Sequence, residues 1–297
     1  MGAFRRLGLA SGALALTSAY KRLAHPPRRP PARLRMRPLM VGHRGAAGLA
    51  PENTLEACRL AVERWGARAL EVDVRASGDG VAVLLHDATL DRTTNGTGPV
   101  SAVPLARLRE LDAGYGFASA DGNHAFRGSG VRIPTFAELL EACPDALVLV
   151  DLKCADAALP LARAIDGAEA WDRVIVAGER LGDRGPLLSY RGPTGLAQED
   201  TARFFAAHHV GLRRFWRPAA DVASLPEHHR GFRLLTPGVI AGLHERGLVV
   251  WVWTVNDASD MRRLLEWGAD GIITDRPDVM SGVLRDLGAR PDDGAAE

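Results

Sequence analysis

From Leu39 onward, short apolar runs alternate with segments whose apolar positions recur at three- and four-residue spacing. The runs predict strands over 39–42, 69–74, 81–85, 146–152, 174–177, 194–197, 222–225, 249–255 and 271–274. Leu55, Cys58, Ala61, Val62 and Trp65 share one face of a predicted helix over 55–65. The same period predicts helices over 136–143, 237–246 and 259–267, the last opening at Asn256-Asp257 and stopping at Gly268. Strands alternating with helices over about 245 residues imply a parallel sheet, and that length suits one TIM-like (β/α)8 barrel. A doubly wound open sheet would carry a glycine-rich dinucleotide loop after its first strand, and this sequence has none there.

Nine predicted strands are one too many for eight staves. Asp79-Gly80 lies between two alternating runs and signals a tight hairpin turn, which makes 81–85 an added partner of the second stave. With Asp79 and Gly80 as the two turn residues, Gly78 faces Val81 and Asp73 faces His86. Residues 97–134, rich in Gly and turn formers, predict an excursion beyond a minimal barrel that forms a lid or rim.

Composition adds an asymmetry. The chain is 46% hydrophobic and 25% charged, as soluble globular proteins are. Residues 1–40 hold nine basic side chains and no acidic one, so the net +1 of the whole chain leaves −8 on residues 41–297. An acidic body is a poor general surface for nucleic acid, and phosphate chemistry on it needs a local cation. The apolar run from Leu7 to Ala19 resembles an export signal but is too short to span a bilayer. Lys21, Arg22, Arg28 and Arg29 then follow on the flank where positive charge resists translocation. Residues 1–38 are therefore expected to be a basic tail and proline-rich linker outside a barrel over 39–285, with 286–297 a disordered C-terminal tail. A cytoplasmic protein is expected, its tail either solvated or in peripheral contact with an anionic membrane, export being the alternative. Cys58, Cys143 and Cys154 form no CxxC pair and imply no disulfide framework.

The candidate chemistry lies at predicted strand ends. His43, Arg44 and Gly45 follow the first apolar run at once, where barrels build active sites. Glu71 and Asp73 stand two residues apart and project from one face of the next strand, with Val72 and Val74 on the other. Both faces of such a strand are buried only within a barrel, where paired carboxylates repel unless a cation lies between them. Asp151 and Lys153 repeat the spacing on the following stave. Each feature alone has an ordinary explanation: a capping histidine, the wet face of an edge strand, a buried ion pair. In register at strand ends, three carboxylates with no Cys and no third His indicate a hard divalent cation, Mg2+ or Ca2+ rather than Zn2+. Pro51, Glu52, Asn53 and Thr54 read as a helix start, with Glu52 and Asn53 also within reach of the site; the helix start is the favoured reading of Asn53 and Thr54, and Glu52 stays open. Trp251 and Trp253 share one strand face; core packing is the first reading of both, and Trp253 is also a candidate substrate contact. The pairs His208-His209 and His228-His229 lack carboxylates at ligand spacing and read as surface.

Several strings, taken in order, resemble the glycerophosphodiester phosphodiesterase family: Gly42-His43-Arg44-Gly45, Pro51-Glu52-Asn53-Thr54, Glu71-Val72-Asp73, Leu85-His86-Asp87 and Leu90-Asp91-Arg92-Thr93-Thr94-Asn95-Gly96. Further matches stand at Leu111-Asp112, Ile133-Pro134-Thr135, Trp253-Thr254-Val255-Asn256 and Thr274-Asp275-Arg276-Pro277, so the resemblance spans residues 39–282. It implies a TIM barrel that hydrolyses a small-molecule glycerophosphodiester to glycerol 3-phosphate and an alcohol. It implies His43 and His86 as general acid and base, Arg44 and Lys153 on the phosphate, and Glu71, Asp73 and Asp151 as metal ligands. The family usually has Glu where this chain has Asp151, so the cation would sit deeper or be reached through water. Two rival functions share these residues. A lysophospholipase D would need an apolar groove beside the site. A non-catalytic phosphate-binding barrel would not need both histidines, Arg44, Lys153 and three carboxylates, all of which are present.

Overall fold

The computed structural model describes residues 30–35, 37–178, 187 and 190–288. Ten strands follow in chain order: β1 (Leu39–His43), β2 (Ala69–Ala76), β3 (Ala82–Leu84), β4 (Leu147–Leu152), β5 (Val174–Gly178), β6 (Val222–Pro226), β7 (His228–His229), β8 (Phe232–Arg233), β9 (Val249–Trp253) and β10 (Gly271–Thr274). Seven of them form a parallel series in the order β5-β4-β2-β1-β10-β9-β6. The ends of that series meet through residues 194 and 195: Val176 pairs with Thr194 and Gly195 with Val222, both in parallel. This two-residue bridge is the eighth stave and closes the barrel. The predicted strand over 194–197 is short because Pro193 and Gly195 weaken a strand interior.

Inward-facing positions explain both the barrel's stability and its chemistry. Along β1 they are Leu39, Val41 and His43; along β2 Ala69, Glu71 and Asp73; along β4 Leu147, Leu149 and Asp151; along β9 Val249, Trp251 and Trp253. The lower members of these rows pack together with Ile175, Val222 and Ile273 as the barrel core. The opposite faces, such as Val72, Val74, Val148, Val150, Val250 and Val252, pack against the surrounding helices in a larger cluster. Each stave therefore buries both faces, and each inward row changes from apolar to polar or aromatic as it reaches the C-terminal end.

The helices begin where the sequence places good caps. Thr54 accepts from Ala57 N to open Leu55–Arg59, which continues as a wider turn over Leu60–Arg64. Thr135 and Glu138 form a reciprocal capping box at Phe136–Ala142. Thr236 caps Pro237–His244, and Asp257 caps Ala258–Glu266. Among the described residues no helix is long and apolar enough to cross a membrane.

Two expectations are corrected. The fold begins before Leu39: residues Ala32–Arg35 form a short helical turn, and Leu34 is fully buried in the lower barrel core. Arg33 and Arg37 pair with Asp172 and Asp270, which precede β5 and β10 at the same end. Leu34 is apolar and inward, which the basic surroundings concealed. The rest of the expected tail, 1–29, and residues 289–297 lie outside the described residues.

The hairpin register also differs. Val74 pairs with Leu84, Arg75 with Val83 and Ala76 with Ala82, one residue from the expected pairing. The loop is three residues long, Gly78-Asp79-Gly80, with the Ser77 and Val81 backbones bonded at 2.9 Å and Gly80 N–H donating to Ser77 O at 3.0 Å. A two-residue turn of the expected type needs positive φ at both central residues, and only Gly80 (φ 76°) adopts it. Ser77 Oγ stabilises the longer loop by accepting from Val81 N at 2.9 Å. Asp73 therefore faces Leu85, whose N–H donates to Asp73 O at 3.1 Å. Finally, the excursion over 97–134 builds a small core of its own: Val100, Leu108, Ala113, Val131 and Ile133 bury against Val83 and Leu85.

Candidate active site

His43 ends β1, next to β10 in register. Its Nδ1 lies 2.6 Å from Asp275 Oδ1, and its Nε2 lies 3.8 Å from Glu71 Oε2. Asp275 is fixed from behind by Asn256, which donates from Nδ2 at 2.8 Å and accepts the Asp275 N–H at 2.9 Å. Burial alone would lower the His43 pKa, but the Asp275 hydrogen bond and the charges of Glu71 and Asp275 outweigh it and raise the ring above its ordinary value.

The chain then turns through two left-handed residues. Arg44 has φ 49° and Gly45 φ 88°. A Cβ on Gly45 would stand 2.6 Å from the Ala57 carbonyl carbon, so only glycine fits. The strained Arg44 backbone is held on both sides: its N–H donates to Glu71 Oε2 at 3.2 Å, and its carbonyl accepts from Asn53 N at 2.9 Å. Asn53, itself at φ 56°, clasps Asp73. Its Nδ2 donates to Asp73 Oδ2 at 2.9 Å, and its Oδ1 accepts the Asp73 N–H at 3.1 Å.

Glu71 and Asp73 are buried, and Asp73 is the register neighbour of Asp151. Lys153 Nζ lies 3.0 Å from Asp73 Oδ1 and donates to Asp151 Oδ2 at 2.6 Å. Arg44 Nε lies 3.1 Å from Asp73 Oδ2, while Arg44 Nη1 donates to Glu52 at 2.8 Å. Burial works to raise the Asp73 pKa, but Lys153, Arg44, the Asn53 hydrogen bond and His86 together hold it below the usual carboxylate range. For Glu71 the opposing charges of His43 and Arg44 are outweighed. Burial first, and then the Asp73 charge, push it up to about 8.

His86 follows β3 at the mouth. Its Nδ1 lies 2.7 Å from Asp87 Oδ1, and its carbonyl accepts from Arg75 Nε at 2.8 Å. The register change moves it off Asp73 as a cross-strand partner, yet its charge still acts on Asp73 because the strand ends at Leu84 and the chain turns there. The two imidazoles are thus presented alike, each with Nδ1 against a carboxylate and Nε2 left available.

The profile of the glycerophosphoryl diester phosphodiesterase family matches residues 43–158 and 197–279. The glycerophosphodiester phosphodiesterase of Caldanaerobacter subterraneus subsp. tengcongensis is 32% identical over 257 residues, covering 84% of this chain and 99% of that protein. The chain belongs to this family. The crystal structure of a glycerophosphoryl diester phosphodiesterase domain from Mycobacterium tuberculosis is similar with a TM-score of 0.75 at 23% identity, over 83% of this chain and 98% of that one. A phosphodiesterase of Oleispira antarctica, solved with its product sn-glycerol-3-phosphate, is similar with a TM-score of 0.68 at 23% identity, over 84% and 97%. These two likenesses show the same fold.

In this phosphodiesterase direct contacts link His43, Glu71, Arg44, Asp73, Lys153 and Asp151, and His86 stands near enough to act on Asp73, while Trp253 ends a strand two staves from β1. Trp253 is 44% exposed at the end of β9, whereas Trp251, two residues below, is fully buried. Core packing therefore describes Trp251 and not Trp253. The carboxylates do not stand as a ready cage: among the described residues no three His, Cys, Asp or Glu side chains converge as metal ligands. Lys153 and Arg44 draw Asp73 and Asp151 instead, supplying the positive charge that buried carboxylates require. Five further residues reach the site. Asn53 is no helix cap but the clasp of Asp73, while Asp275, Asn256, Asp87 and Arg92 hold the histidines or their partners. Asp275 carried a readable signal, since it continues the inward parity of Ile273 at the end of the last stave.

Proposed function

We propose that the protein hydrolyses small, water-soluble glycerophosphodiesters to glycerol 3-phosphate and an alcohol, using His43 and His86 for proton transfer and a divalent cation near Glu71, Asp73 and Asp151. The observation that supports it most is the change of the inward rows, at one height on neighbouring staves, from a packed core to imidazole, carboxylate and ammonium groups. The donor set fits a hard cation: three carboxylates on two adjacent staves, one of them, Glu71, its pKa pushed up to about 8 by burial and by the Asp73 charge. When bound, such an ion would neutralise the phosphate and favour the charge that develops on its oxygens. Mg2+ and Ca2+ both suit oxygen ligands.

The protein's own groups do the rest. Arg44 Nε is buried and faces Asp73 Oδ2 at 3.1 Å without hydrogen-bond geometry, and Lys153 stands between Asp73 and Asp151. Both can turn toward a phosphodiester anion as the carboxylates engage the cation. With Asp275 and Asp87 ionised, each imidazole keeps its Nδ1 hydrogen-bonded and works through Nε2. One ring removes a proton from the attacking oxygen, and the other protonates the departing alkoxide as the phosphorus–oxygen bond to the alcohol breaks. Trp253 flanks the glycerol from the far rim. A water-soluble substrate is favoured because most apolar side chains of the excursion are occupied: Phe117 and Phe126 pack edge to face with centroids 5.4 Å apart, Arg127 lies over the exposed Tyr115 ring, and the aliphatic side chains form the small core over β3.

Purified protein should release glycerol 3-phosphate from glycerophosphocholine or glycerophosphoethanolamine with Mg2+ or Ca2+, and lose that activity with chelator. Faster turnover of lysophosphatidylcholine than of either would replace this reading with a lysophospholipase D.

A further inference from the structure

A single guanidinium joins the two arms of the mouth. Arg92, on the loop beyond β3, presents two edges to two carboxylates. Along one edge, Nη1 and Nη2 donate to Glu52 Oε2 at 2.6 Å and Oε1 at 2.8 Å. Along the other, Nε and Nη2 donate to Asp87 Oδ2 at 2.6 Å and Oδ1 at 3.2 Å. Each carboxylate in turn holds a group of the proposed machinery. Glu52 Oε1 accepts from Arg44 Nη1 at 2.8 Å, and Asp87 Oδ1 faces His86 Nδ1 at 2.7 Å. The result is a continuous chain of alternating charge, Arg44–Glu52–Arg92–Asp87–His86, running from the loop after β1 to the end of the hairpin.

We propose that Arg92 is a positioning residue, which fixes His86 through Asp87 and sets Arg44 through Glu52, so that the proton-transfer ring and the phosphate-binding guanidinium are presented as one unit. This rests on the hydrolysis reading for what His86 and Arg44 do, but not for how they are held. The need for a brace follows from exposure: the His86 side chain is 35% exposed and that of Asp87 29%, so packing alone does not fix them. An ionised Asp87 selects the imidazole tautomer with hydrogen on Nδ1 and the lone pair on Nε2. Freed of Arg92, Asp87 can turn to solvent and the ring loses that selection. The role calls for arginine. Its five donors lie in a rigid plane and serve two carboxylates along two edges, whereas a lysine ammonium supplies a point charge without that geometry.

The experiment compares Arg92→Lys, Arg92→Met, Asp87→Asn and the double Arg92→Met/Asp87→Asn in the full chain. The readouts are kcat and KM on glycerophosphocholine, circular dichroism for the fold, and 15N NMR of the His86 ring nitrogens. Each single change is expected to lower kcat by about 10-fold or more, with lysine failing to rescue, as for other residues that orient a functional group. The double change should cost no more than the worse single one, because both act through the same ring. The His86 spectrum should pass from one tautomer to a mixture in Arg92→Met. Wild-type turnover in Arg92→Lys, independent losses in the double variant, or an unchanged tautomer in a folded Arg92→Met protein would overturn the proposal. If the wild type hydrolyses no glycerophosphodiester, the catalytic reading fails, while the ring-nitrogen spectrum still decides whether Arg92 sets His86.

Discussion

The two imidazoles at the barrel mouth are held with different firmness. His43 is largely enclosed and bonded to Asp275, which Asn256 fixes in turn, whereas His86 stands nearer solvent against Asp87. Both are expected to be needed for turnover: His43→Asn or His86→Asn should each lower kcat by roughly 100-fold or more with the fold intact. Near wild-type turnover in either variant would remove that ring from the chemistry. Glu71 gives a separate test that needs no substrate. Its pKa rises from 4.5 to about 8 on folding, so between those values the folded protein holds a proton that the unfolded chain has released. Stability from this group is therefore fully present below pH 4.5 and is lost as pH rises through about 8. Thermal unfolding of cation-free protein should show Tm falling across that window, and Glu71→Gln should flatten the fall. Added Mg2+ or Ca2+ should raise Tm most at the alkaline end, since a cation favours the ionised carboxylate. A wild-type Tm as flat as that of Glu71→Gln would show that Glu71 is not a strained acid.

At the scale of elements, the hairpin of β2 and β3 depends on one backbone conformation. Gly80 sits at φ 76° with nothing within 4 Å of the Cβ it lacks. Gly80→Ala should therefore cost only the left-handed conformation, about 1 kcal/mol, and leave kcat unchanged. Denaturant unfolding beside an activity assay measures both, and a neutral change would mean that the loop has another shape. The staves themselves were legible in the sequence, because a strand buried on both faces reads as a continuous apolar run and the charged residues break that run only at its end. Glu71, Asp73, Asp151 and His43 were found for the same reason. The register of the hairpin was not legible. Asp-Gly marks a turn without stating its length, and here the Ser77 hydroxyl, three residues upstream of Gly80, tips the choice toward a three-residue loop. The role of Arg92 was also hidden, and Asn53, within reach of the site from its sequence position, reads as a helix start rather than as the clasp of Asp73. Each acts through side-chain geometry between segments distant in sequence, and neither periodicity nor parity carries that information.

For the whole molecule, the closure of the barrel is uneven. Around the ring, β1, β2 and β4 share three to six paired residues with each neighbour, while the stave at 194–195 offers one bridge on either side. This thin stave is the fifth around the ring and so lies diametrically across from β1, which carries His43. Opening there would break few hydrogen bonds and leave the chemically active arc paired, so the barrel has a built-in place to yield. Amide hydrogen exchange should reveal it: the Gly195 and Leu196 amides, bonded to Val176 O and Val222 O, should exchange by local opening well before those of β1 and β2. Equal protection around the ring would show that closure is cooperative after all. Unequal protection would describe a barrel that flexes as a clasp does, with its fastening placed as far as the circle allows from the residues that must not move.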